Sequence, residues 1–77
     1  MNKFYMHEFV FFDDYDKIRF NIVELNENKN EIYVAITRQG KISVVTYPLY
    51  EDNDGLYFEY GPCYTKIKIN DFEEVND

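Results

Sequence analysis

His7 and Cys63 are the one histidine and the one cysteine of this chain, and so its only candidates for a thiolate–imidazole couple. Such a couple needs the base within hydrogen-bond reach of the sulfur. Nothing in the flanking residues marks either position. Cys63 reads as a small hydrophobe beside the Gly61-Pro62 turn, and His7 as a strand residue. Ser43, the single serine, stands between Ile42 and Val44 without the Gly-x-Ser-x-Gly elbow that exposes a hydrolase nucleophile. Zinc takes four N or S ligands, or three with a carboxylate, which one His and one Cys do not supply. Asp52-Asn53-Asp54-Gly55 superficially resembles a calcium loop. With Gly55 at the sixth position, the first would be Tyr50 and the twelfth Gly61, where oxygen ligands are required. Carboxylate pairs are plentiful by chance, and glycoside hydrolysis further needs a sugar cleft that fixes their separation. The sequence therefore predicts no catalytic residue, no metal ligand set and no cofactor: the expectation is a protein that is not an enzyme.

Recognition is the chemistry that remains. The chain carries eight Tyr and seven Phe, and fifteen Asp and Glu against eight Lys and Arg, for a net charge of −7. Phe is the natural core material. Eight Tyr are too many for an interior in which each hydroxyl wants a partner, so several belong at the surface. Two acidic turns are flanked by Tyr: Asp13, Asp14, Tyr15 and Asp16, and then Tyr50, Glu51, Asp52, Asp54 and Tyr57. Turns held by a rigid sheet commonly carry binding residues. Tyr gives contact area at low entropic cost, and carboxylates steer a basic partner. These nine residues are the candidate partner-binding site.

The acidic balance argues against direct nucleic-acid binding, which needs clustered Lys and Arg. The densest basic group is only Lys66 and Lys68. The same repulsion disfavours anionic membranes. The longest run of aliphatic or aromatic residues, Phe9 to Phe12, is far short of a span. Residues 1–8 lack the apolar run of a signal peptide, and a lone thiol suits a reducing compartment. The expected location is the cytoplasm.

The elements that must position these residues are short strands in a single domain, residues 1–77. Polar turns at 26–30 and 51–55 bracket a hairpin, Ile32–Thr37 and Ile42–Tyr47, rich in β-branched residues. A two-residue turn at Gln39-Gly40 would set Ile36 opposite Ser43 and leave both faces mixed. A three-residue loop with Gly40 left-handed sorts Ile32, Val34, Ile36, Ile42 and Val44 onto one face, with Tyr33 and Tyr47 on the other, and is preferred on that ground. Residues 15–25 fit a strand through Ile18, Phe20 and Ile22, and also a helical stripe through Tyr15, Ile18, Ile22 and Leu25; β-branched and aromatic content favours the strand. Asn70 with Glu73 three residues on has the form of a capping box and predicts one helical turn. The sum is a mainly β fold: a single small antiparallel sheet curled into a barrel or compact sandwich of five or six strands, with at most one short helix.

No motif assigns the chain to a family. Small acidic proteins that dock on basic nucleic-acid-binding proteins, presenting carboxylates where phosphates would lie, are a habit of phages and mobile elements. The leading expectation is an inhibitor of this nucleic-acid-mimic kind. The alternative is a self-associating structural β domain, and a homo-oligomer is compatible with both.

Overall fold

In a computed structural model of the protein, residues 7–13 and 16–74 are described. The chain forms β1 (His7–Asp13), β2 (Asp16–Asn26), β3 (Glu31–Arg38), β4 (Lys41–Pro48), β5 (Tyr50–Asp52), β6 (Gly55–Tyr60) and β7 (Thr65–Lys68), then a 3-10 turn (Ile69–Asp71) and β8 (Glu73–Glu74). Two antiparallel sheets result, one ordered β4-β3-β2-β1-β8 and the other β5-β6-β7. The expected β character holds. The single curled sheet of five or six strands does not: among the described residues eight strands divide between two sheets, and neither closes into a barrel. The division falls at Leu49, directly after Pro48. Pro48 is the last residue of β4, its N-side turned away from β3, and after the Leu49 N–H bond to the Asn30 carbonyl the chain crosses to the second layer.

The layers meet through aromatic side chains. Phe9, Phe20 and Ile36 project from the larger sheet on the face that also buries Ile18, Ile22, Ile32 and Val34. Phe58 and Ile67 answer from the smaller sheet, with Leu49 and Phe72 closing the edges. Phe20 packs edge-on against Phe58 at 5.8 Å and Tyr60 at 5.0 Å between centroids. Phe12 departs from the expectation that phenylalanines are core: it points to the outer face and is 74% exposed.

Residues 16–26 are strand, as favoured. The register of β2 against β3 shifts between Ile22 and Glu24. This bulge lets Ile22 and Leu25, three residues apart, both face the core. A helix-like spacing thus arises within a strand.

The β3–β4 hairpin corrects the sequence reading. Arg38 pairs with Lys41, so the connection is the two-residue turn Gln39-Gly40, and Ile36 lies opposite Ser43. Gly40 has positive φ (77°) as expected, but Gln39 does too (52°). Two consecutive left-handed residues make the primed turn whose twist matches that of the flanking strands. Ile42 and Val44 consequently face outward, 70% and 65% exposed. Tyr47, expected on the outer face, turns inward and stacks on Phe58 at 4.9 Å. Face sorting misleads here because β4 is an edge strand, with only β3 beside it among the described residues. The tail is corrected as well: Asn70 caps no helix but donates its Nδ2 to the Asp54 carbonyl at 3.0 Å, and the chain makes a 3-10 turn before adding β8 to β1.

Candidate partner-binding surface

The outer face of β5-β6-β7 gathers most of the second predicted group. Tyr50 pairs with Tyr57, and Tyr57 with Lys68, so these side chains share one face; Asp52 opposite Gly55 and Lys66 opposite Glu59 join them. The Tyr50 and Tyr57 rings lie 5.6 Å apart. Lys66 reaches across the sheet, its Nζ 2.6 Å from Asp52 Oδ2 and 4.4 Å above the Tyr57 ring. Lys68 Nζ lies 3.3 Å from Asp54 Oδ2. The turn is built around Asp52, whose Oδ1 accepts the Asp54 N–H at 2.8 Å. Gly55, at φ 113°, is required where a Cβ would come within 3.0 Å of Asn70 Nδ2. Hydrogen bonds from Lys66 and the Asp54 amide hold the Asp52 carboxyl below its ordinary value, and Asp52 raises that of Lys66. Glu51, opposite Leu56, is exposed on the other side of β5.

The first predicted group has a different fate. Asp14, Tyr15 and the side chain of Asp13 lie outside the described residues. Asp16 is a clamp. Its Oδ2 accepts from Arg38 Nη2 at 2.8 Å and Nε at 3.2 Å, and its Oδ1 from Gln39 Nε2 at 3.0 Å. Gln39 first, then Arg38, lowers the Asp16 pKa. One carboxylate thereby ties the start of β2 to the β3–β4 turn. Asp16 does not converge with the second group: the start of β2 sits at that end of the larger sheet, whereas β5 departs from the other, where Leu49 N–H donates to the Asn30 carbonyl at 2.8 Å.

Sequence reasoning missed two further surfaces. A groove of about 350 Å³ between β1 and the tail is lined by Glu8, Phe9, Val10, Asp71, Glu73 and Glu74. Glu8 is held by Arg19 at 3.3 Å. Close spacing of Asp71, Glu73 and Glu74 was the available signal; their meeting with Glu8 required knowing that β8 pairs with β1. The other is the apolar edge formed by Ile42 and Val44.

Cys63 is exposed in the β6–β7 turn and shares a hollow with Phe11, four positions up β1 from His7, a distance of about 13 Å along a strand. That spacing does not bring the thiol to the imidazole. Among the described residues, no group of three or more His, Cys, Asp and Glu is placed to hold a metal ion, and no helix is long and apolar enough to cross a membrane. The Tyr50–Tyr57 face presents a flat aromatic surface beside carboxylates whose lysine partners are solvent-exposed. Exposed ion pairs are worth only about 0–1 kcal/mol, so an incoming guanidinium can exchange for the lysine. No protein-family model matches the chain, and neither the curated proteins nor the solved structures contain a match to it.

Proposed function

We propose that this is a small acidic binding protein without catalytic activity, an inhibitor that a phage or mobile element directs in the cytoplasm against a basic nucleic-acid-binding protein. Its carboxylates take the place of phosphates on that partner. The observation that carries the reading is the Tyr50–Tyr57 pair on a sheet face, bordered by Asp52 and Asp54 in exposed, exchangeable ion pairs. The groove at Glu8, Asp71, Glu73 and Glu74 adds negative potential elsewhere on the same small body.

The test is capture from a native host extract on the immobilised protein, with salt elution and competition by duplex DNA. The expected partner is a basic nucleic-acid-binding protein, released by salt and displaced by DNA. Asp52→Asn with Asp54→Asn keeps an oxygen for the Asp54 N–H while removing two charges, and should weaken capture and flatten its salt dependence. A captured partner indifferent to DNA and to these substitutions sinks the proposal. A self-associating role is favoured by a separate observation, the exposed apolar edge at Ile42 and Val44.

A further inference from the structure

We propose that β4 pairs antiparallel with β4 of a second copy, centred on Val44, joining the two larger sheets into one ten-stranded sheet. The argument begins with the hairpin. In a two-residue hairpin the closing pair, Arg38 and Lys41, is the hydrogen-bonded one, and the type alternates along an antiparallel ladder. Ser43, Val45 and Tyr47 therefore turn their backbone groups toward β3. The Leu49 N–H to Asn30 carbonyl bond falls on the same series and fixes the phase. Ile42, Val44 and Thr46 consequently present N–H and C=O to the free edge of β4, which has no strand beside it among the described residues. Pro48 is the next residue of this outward series, where its missing N–H leaves the β3 ladder intact.

A two-fold axis at Val44 sets Val44 against Val44 of the second copy and Ile42 against Thr46. Every outward group of those three residues then meets a complementary one, and Ile42 and Val44 of both copies form one apolar stripe on the outer face. Moving the axis to Ser43 or Val45 leaves part of the set unmatched or facing Pro48. Slips by a single residue place outward side chains against inward ones. Charge allows the contact: Lys41 is the only charged residue of β4, in a chain of net charge −7. Edge strands are commonly protected by charges, proline, bulges or extreme shortness; β4 is eight residues long and carries such residues only at its ends, Lys41 and Pro48, outside the Ile42–Thr46 segment that pairs. The occupant is a second copy because the free set is self-complementary under a two-fold axis; an extended segment of a different protein has no such need.

Sedimentation of the full chain, with disulfide trapping in a Cys63→Ser background, tests the register. Opposed hydrogen-bonded residues lie about 5.5 Å apart between Cα atoms, within disulfide reach. Val44→Cys should therefore form a covalent dimer with oxidised glutathione. Ile42→Cys should not, since its two copies would stand about 13 Å apart along the strands. Val44→Lys, at a solvent-exposed position, should give a monomer whose unfolding midpoint matches that of the parent at dilutions where the parent is monomeric too. Salt should strengthen the dimer by screening like charges, the opposite of its effect on docking to a basic partner. A monomer at all concentrations overturns the proposal. So does a dimer that survives Val44→Lys, or trapping at Ile42→Cys as efficient as at Val44→Cys. Each of these results leaves the basic-partner reading untouched.

Discussion

Replacing Gln39 by Asn should stabilise the protein, although it removes a hydrogen bond. Gln39 sits at φ 52°, a left-handed conformation that disfavours an ordinary residue by roughly 1–2 kcal/mol. Asn tolerates this region far better. Against that gain stands the bond from Gln39 Nε2 to Asp16 Oδ1, which a shorter side chain does not reach. It is exposed, at the low end of the range for hydrogen bonds, about 0.5 kcal/mol. Asp16 keeps Arg38. The balance is a gain of about 0.5–1.5 kcal/mol, or several degrees in Tm for a domain of this size. Gly40→Val supplies the complement. A Cβ at Gly40 meets nothing within 4 Å, so its cost is purely that of the backbone at φ 77°: about 1–2 kcal/mol or more for a β-branched residue. Urea unfolding of both variants, with the same denaturant slope as the parent, is the assay. The alternative three-residue loop needs only Gly40 left-handed. Gln39→Asn unchanged or destabilised beside a costly Gly40→Val would therefore refute the two-residue turn.

Phe58→Ala should lose about 3–5 kcal/mol, because the fully buried ring contacts Phe20, Tyr47 and Phe72 across both layers. A loss under about 1 kcal/mol by urea unfolding would mean the layers do not meet there. Asp16 has a lowered folded pKa, so its contribution is complete above the ordinary Asp value of about 3.9 and vanishes as pH falls through the folded value. The urea midpoint of the parent should thus drop further between about pH 5 and pH 2 than that of Asp16→Asn, and parallel drops would show that the clamp carries nothing. Cys63→Ser should leave stability within about ±0.5 kcal/mol, since the thiol is exposed in a turn, and a larger change in melting would contradict that placement.

Strands were legible where β-branched residues alternate, and the layering was not. Nothing local marks Leu49 as the crossing between sheets. Hydrophobic sorting chose the wrong hairpin register because it assumes both strands are covered. The smaller sheet packs against Val45 and Tyr47 but leaves Ile42 and Val44 in solvent, so turn chemistry decides the register and pattern does not. The helical stripe through Ile18, Ile22 and Leu25 was a real periodicity with another cause, the bulge in β2. The Tyr50–Tyr57 face was readable because its acidic turn is short and the strands around it are adjacent. The Asp16 clamp is not legible in the sequence, because its partners Arg38 and Gln39 lie 22 and 23 positions away, where no local rule reaches.

The pairing of His7 with Glu74 joins positions 67 apart in sequence through a strand of only two residues. Loop closure of that length opposes the contact by on the order of 4 kcal/mol, whereas the β3–β4 hairpin closes over two residues. This seam should therefore form last and open first, with fast amide hydrogen exchange at Glu73 and Glu74 and the slowest exchange where β2 and β3 lie flanked on both sides. Since the same seam walls the acidic groove, a cation or basic peptide that settles there must hold β8 closed. Its arrival would register as slowed exchange at those two amides, a signal separate from any at Tyr50 and Tyr57.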